Sequence, residues 1–395
     1  MKKKLQDKDR ELSKRINSAP DLRGNSRTIF TGNDFISFNG KMLKTIFKSP
    51  VLPVPVNFDI LSTHYGDEFV GFLQDFEALL SEKVHIYLSF SETIEAKLPM
   101  FLLLYAIHDK YSCKISIIWS KKSGFVNKMI RKSGKFKCAS ERNHAMYDTG
   151  QKHIPVISGS NQEFQTFPDA LVDAIKDKYY HGDMPDNIEA RISQAVIETL
   201  ENVGRHAYPE SPLDKDKKWW LICSIGTNGN TNDEYMYLAI FDAGRGIPLS
   251  FGDSAVFQAR VKKNYPKEFS ELLHGEQSES SKQSQIVRFL RTAKAMITPL
   301  RSTIGDSGLI YASMMHDMTR LDDENHGQGS KSIKDVVTDD VHSKLFIFSN
   351  RGCYQYNKVK KVDTESYEEE HNRMELQNEL SGTLLQWSIR LDDLN

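Results

Sequence analysis

The chain has 395 residues, 39% of them hydrophobic, and a formal net charge of −1. That length is enough for two domains with cores of their own, and the near-zero charge gives no global field that would favour nucleic acid or a membrane surface. Four scattered cysteines (Cys113, Cys138, Cys223, Cys353), with no CxxC pair, argue against a zinc site and a disulfide framework and suit a reducing cytoplasm.

In chain order, residues 1–50 are polar. Lys2, Lys3, Lys4, Lys8, Arg10, Lys14 and Arg15 alternate with Asp7, Asp9 and Glu11. A short solvated helix followed by irregular structure is expected there. No apolar stretch follows this basic start, so no secretory signal is expected. The longest apolar run, Leu98 to Ile107, contains Pro99 and is shorter than the ~20 residues of a spanning helix. Residues 51–160 read as a small α/β domain. Val84 to Leu88 alternates as a strand, Leu98 to Lys110 is a buried helix, and Lys114 to Trp119 is a second strand. Gly124 to Ala139 is basic, a helix and a loop.

A second α/β domain is expected over 161–395. Phe167 to Tyr180 and Ile188 to Ala207 have helical periodicity. Trp219 to Ile225 and Tyr235 to Phe241 are strands joined through an Asn-Gly turn signal, and Leu345 to Ser349 and Leu384 to Leu391 supply two more. Four strands with helices on one face make a two-layer sandwich. Residues 249–325, with a low-complexity tract at Glu276 to Gln285, read as a long functional insertion. The acidic stretch 361–380 reads as a solvated loop or helix.

Four motifs carry the chemistry. Glu198 and Asn202 lie one helical turn apart on one face, and His206 extends the line. A carboxylate and an amide oxygen so placed orient water and supply hard donors to magnesium, which shares its oxygen ligands with phosphates and water. A strand then runs into Asp242-Ala-Gly244-Arg-Gly246-Ile247. Its carboxylate accepts from an exocyclic amine, and its glycines permit a tight turn close to a ligand. His326-Gly327-Gln328-Gly329-Ser330-Lys331 opens a helix, presenting amides and a lysine to an anion. Gly382-Thr383 opens the last strand with a hydroxyl. Gly305-Asp-Ser-Gly308-Leu309 competes for the third place because it keeps a Gly-Leu pair. The segment 326–332 is preferred because a strand follows it at a suitable distance.

Taken in order, these motifs resemble the N box, the two glycine boxes and the terminal Gly-Thr of the GHKL (Bergerat-fold) ATP-binding superfamily, over roughly 165–393. The resemblance implies that Glu198 activates the attacking group and that Asn202 is a ligand of Mg. It also implies that Asp242 reads adenine with support from Thr383, that Gly244, Gly246 and Ile247 lie beneath the nucleotide, and that Gly327, Gly329, Ser330 and Lys331 lie beside its phosphates. Residues 249–325 would be the ATP lid. Lys331 and Ser332 stand where the family has Gly-Leu. More weakly, 84–119 resembles a STAS-type domain, with Ile94-Glu-Ala-Lys97 where phosphorylatable members carry a serine. The expected activity is Mg-dependent ATP hydrolysis that works as a conformational switch in a bacterial regulatory or defence system. The alternative is a protein serine/threonine kinase like the anti-sigma-factor kinases. Expected partners are an adenine nucleotide, a protein partner and, in a homodimer, a second copy of the chain, without membrane or nucleic acid.

Overall fold

The computed structural model describes residues 34–60, 66–148, 150–227, 233–252, 259, 300–315, 329–338, 341–360 and 367–391. The basic N-terminal run and the low-complexity tract lie outside these residues. The chain is of mixed α/β class and divides into two units, 1–138 and 139–395. Among the described residues no helix is long and apolar enough to cross a membrane.

The first unit begins with strands β1 (Phe35–Phe38), β2 (Lys41–Ile46) and β3 (Ser49–Pro53). β1 and β2 pair antiparallel, so the expectation of irregular structure before residue 50 is corrected over this stretch. The turn between them is Asn39–Gly40, both at positive φ, as a tight hairpin requires. The bridge β4 (Asn57–Phe58) and helix α1 (Gly66–Glu82) follow. Then come β5 (His85–Ser89), β6 (Glu95–Ala96), α2 (Met100–His108), β7 (Lys114–Ile118) and α3 (Gly124–Ser133). The sheet order is β1-β2-β3-β5-β7, with β3, β5 and β7 parallel, as helical crossovers dictate. Its core is built around Phe58, which is fully buried, with Phe69, Phe101 and Phe90 centred 5.2, 5.3 and 5.8 Å away.

The second unit starts earlier than residue 161. After α4 (Ala139–Asn143) comes β8 (Ile154–Ser160), which pairs antiparallel with β9 (Lys218–Thr227). Asn143 exchanges two side-chain hydrogen bonds with the backbone of Ser158, fastening α4 to this sheet. The boundary therefore falls at 138/139, because strand pairing assigns 154–160 to the second unit. Helices α5 (Phe167–Tyr179) and α6 (Asp186–Asn202) match their periodicity, and β10 (Glu234–Asp242) pairs with β9. Next come α7 (Ile247–Gly252), α8 (Leu300–Ser313) and α9 (Gly329–Asp335). The chain closes with two long strands, β11 (Lys344–Lys360) and β12 (Tyr367–Arg390).

This sheet has five strands, in the order β11-β12-β10-β9-β8, and every pairing is antiparallel. Alternation aims Leu221, Cys223, Met236, Leu238, Ile240, Leu385, Trp387, Leu345 and Ile347 into one core with Leu171 and Ile175 of α5 and Ile192, Val196 and Leu200 of α6. Two expectations are corrected. Residues 300–313, expected within an insertion, form a helix packed on β11, with Leu309, Ile310 and Ala312 wholly buried. Residues 367–375 and 380, expected in an acidic loop or helix, pair with β11, so that β11 and β12 extend as a two-stranded arm beyond the end of β10.

Candidate functional site

The core-facing rows of three strands end in polar residues at the same edge of the sheet. The row Met236–Leu238–Ile240 continues, two residues on, to Asp242. The row Trp387–Leu385 ends at Thr383, and Leu345–Ile347 ends at Ser349. In register, Asp242 faces Thr383, Thr383 faces Ser349, and Trp219 flanks Asp242 on the other side. All four are buried. A buried carboxylate at the end of an apolar row is expensive unless it is hydrogen-bonded. Asp242 Oδ1 accepts from the N–H of Gly244 at 2.9 Å, and Thr383 bonds to the carboxylate through its hydroxyl and backbone. These bonds do not offset desolvation, and burial pushes the carboxyl up to about 7. Ser349 Oγ accepts from Ile247 N–H at 2.9 Å, donates to the Gly382 carbonyl at 2.9 Å and lies 3.1 Å from Thr383 Oγ1.

The turn after β10 is seated on the end of α6. There the helix widens into a π turn, Val203–Ala207, a feature often found at functional sites. The carbonyls freed at this end take the turn's donors. Arg245 N–H donates to Ala207 at 2.8 Å, and Arg245 Nε donates to His206 at 3.1 Å. The guanidinium also complements the partial negative charge at a helix C-terminus. Gly244 is packed so closely that a Cβ would strike the Ala207 carbonyl, and Gly246 has φ +87 with Asn350 and Ser349 where a side chain would go. Tyr208 Oη accepts from Ala243 N–H at 3.0 Å and donates to the Lys218 carbonyl at 2.7 Å, closing the turn from the side.

Of the expected residues, Asp242, Gly244, Gly246, Ile247, Thr383 and His206 thus come together at one end of the sheet. Glu198 and Asn202 lie on the last two turns of α6, leading to that end. Glu198 is half-buried, with Oε1 accepting from Gln194 at 3.0 Å, and Asn202 is exposed. No group of three or more His, Cys, Asp or Glu that could hold a metal occurs among the described residues. At the end of α6 the side-chain oxygens on offer are those of Glu198, a carboxylate, and Asn202, an amide.

The preferred third motif lies partly outside the described residues, and its described part packs on α6. Gly327 lies outside the described residues. Gly329, Ser330 and Lys331 begin α9, where Ser330 Oγ donates to the Met315 carbonyl and the Ile333 carbonyl accepts from Trp387 Nε1 at 2.9 Å. Trp387 is four residues from Thr383, ~13 Å along a strand. The competing segment does lie at the site edge. Gly305, at φ +73, interrupts α8, and the helix resumes at Asp306. A Cβ on Gly352 would meet Asp306 and the Ser307 nitrogen, and the Arg351 N–H donates to Asp306 Oδ2 at 3.0 Å. α8 packs on α7 and β11, and α9 packs on α6.

Sequence reasoning missed Ser349 and Asn350. Asn350 is wholly buried at φ 53; its Nδ2 donates to the Arg245 carbonyl (3.1 Å) and to Glu379 (3.2 Å), while its Oδ1 has no hydrogen-bond partner. The available signal was Ser-Asn-Arg-Gly inside a strand-like run, since Asn and Gly there announce a break in pairing. Comparison of the chain with protein-family models, with curated proteins and with solved structures gives no match.

Proposed function

We propose that the second unit binds an adenine nucleotide in the manner of the GHKL ATPases and hydrolyses ATP with Mg as a conformational switch. The observation that carries this reading is the buried Asp242 carboxylate, flanked in register by Thr383 and supported by a glycine turn docked on the end of α6. A buried acceptor with an elevated pKa fits a neutral donor edge such as an exocyclic amine, which would stabilise its ionised form. Gly244 and Gly246 let the turn close tightly against Ala207 and against Ser349 and Asn350.

Asn202 would hold the metal through its amide oxygen, and Mg would supply positive charge to phosphate oxygens. Glu198, one turn earlier, would take a proton from the attacking hydroxyl group, whether of water or of a partner's side chain. For the phosphate side we assign Gly305 to Leu309 in place of 326–332, because it is this turn that adjoins Asn350 and Gly352. The first unit, with its antiparallel hairpin leading into parallel strands, supports a STAS-like regulatory module.

Calorimetric titration with Mg-ATP and Mg-GTP tests the reading. ATP should bind and GTP at least about tenfold more weakly, since a carbonyl replaces the amine opposite the carboxylate. Equal affinity, or no heat with either, would remove the assignment. Labelled ATP then separates the two activities: free phosphate alone indicates hydrolysis, and labelled partner protein indicates a kinase.

A further inference from the structure

The β11–β12 arm carries acidic residues into the edge of the site. At its base, register passes from Asn350 opposite Leu380 to Gly352 opposite Glu375, so that one residue of β11 faces four of β12 (376–379). Such a bulge bends a strand and re-aims its side chains. Two exposed glutamates, Glu375 beside the bulge and Glu379 within it, reach back to α8. Glu375 Oε1 accepts from the Ser307 N–H at 2.6 Å, at the N-terminus of the resumed helix Asp306–Ser313, and its carboxylate lies where a Cβ on Gly305, at φ +73, would point. Glu379 Oε1 accepts from Arg301 Nη2 at 3.1 Å and from Asn350 Nδ2 at 3.2 Å. Arg301 also grips Asp306 in a fork, at 2.6 and 2.9 Å. Further out, the arm rests on α8 and α9. Tyr311 meets His371 edge-on at 5.1 Å, Arg373 stacks over Tyr311 at 5.1 Å, and Lys334 lies 5.4 Å over Tyr356.

A helix N-terminus and a forked arginine are the two groups that a phosphate oxygen seeks. Here the arm's Glu375 takes the helix N-terminus, and its Glu379 takes an outer donor of the arginine whose fork Asp306 of α8 holds. We propose that the arm is an intramolecular lock, in which Glu375 and Glu379 occupy the seat of the nucleotide phosphates so that arm docking and phosphate binding exclude one another. This rests on the adenine-nucleotide reading with the phosphate-side turn at Gly305 to Leu309. A polyphosphate arriving beside two seated carboxylates meets like charge and desolvation together, so binding requires the arm to release at its bulge. The lock acts on phosphate alone, because Asp242 and Thr383 do not touch it.

The test uses the full chain and the variants Glu375→Gln and Glu379→Gln, singly and together. Each amide keeps an oxygen to accept the same hydrogen bonds and loses only the charge. Calorimetry with Mg-ATP and with adenosine, which has no phosphate, should show ATP binding at least tenfold tighter in the double variant and adenosine unchanged. ATP affinity that stays the same or falls, or an equal gain for adenosine, overturns the lock while leaving the nucleotide site standing. Absence of binding by both ligands in every protein sinks the nucleotide reading and the lock with it. Should the double variant fail to fold, hydrogen exchange of the wild-type chain decides the matter. Saturating Mg-ATP should speed exchange at amides of 352–360 and 367–375, and unchanged protection there refutes the proposal.

Discussion

Replacing Asp242 by asparagine should stabilise the protein and remove its proposed ligand recognition at once. In the folded chain, burial lifts this carboxyl from 3.8 to about 7. At about 1.4 kcal/mol per pKa unit, the shift corresponds to roughly 4 kcal/mol of destabilisation once the group is ionised in both states. The sign follows from linkage. A carboxyl whose folded pKa is raised leaves the native state most stable below pH 3.8, and stability is lost as pH climbs towards about 7, beyond which the loss is complete. Asparagine keeps an oxygen for the Gly244 N–H and has no charge to desolvate. Urea unfolding of both proteins across pH 4 to 8 should therefore give curves that nearly coincide at pH 4 and diverge to about 4 kcal/mol in favour of Asp242→Asn by pH 8. The same variant should bind Mg-ATP at least tenfold more weakly, since the amide offers the amine a weaker, uncharged acceptor. A stability difference that does not change with pH, or a variant less stable at pH 8, would show that Asp242 is not a desolvated carboxylate and would remove the argument for its role.

Glu198→Ala should retain nucleotide binding and lose ~10²–10⁴ in turnover, as for a missing general base; single-turnover phosphate release measures it, and unchanged turnover removes Glu198 from that role. Gly382→Ala places a Cβ against the Asp242 carbonyl at φ +111, so a loss of about 1–3 kcal/mol in urea unfolding is expected, together with loss of ATP binding. Ser349→Ala leaves the Ile247 N–H and the Thr383 hydroxyl short of a partner; about 1–3 kcal/mol of destabilisation and weaker ATP binding should follow, and wild-type values for both would make Ser349 dispensable to the turn. In the first unit, Phe58→Ala should cost about 3–5 kcal/mol, because four phenylalanine rings close around that side chain; a change under 1 kcal/mol would mean the cluster collapses freely.

Much of the architecture was readable without coordinates, because it rests on local periodicity. Helix α6, the β9–β10 hairpin and β5, α2 and β7 each announce themselves through alternation or helical spacing, and those patterns respond only to neighbouring residues. The order of Glu198, Asp242 and Gly382-Thr383 was legible as well, and Asp242 and Thr383 meet at one end of the sheet. Three features depended on distant partners. Strand β8 is legible only through its pairing with β9, across nearly sixty intervening residues, so the unit boundary moved with it. The acidic stretch after 366 looks solvated by composition, yet the chain extends it as a strand because β11 offers it a hydrogen-bonding edge. The choice between two glycine-rich segments could not come from glycine spacing, since both open helices. What each packs on came only from the fold, which lays α8 against α7 and β11 and α9 against α6 and Trp387. Local patterning thus announced the separate elements and the candidate residues, while strand register and helix packing decided which of them meet, because contacts between residues far apart in the chain leave no local pattern.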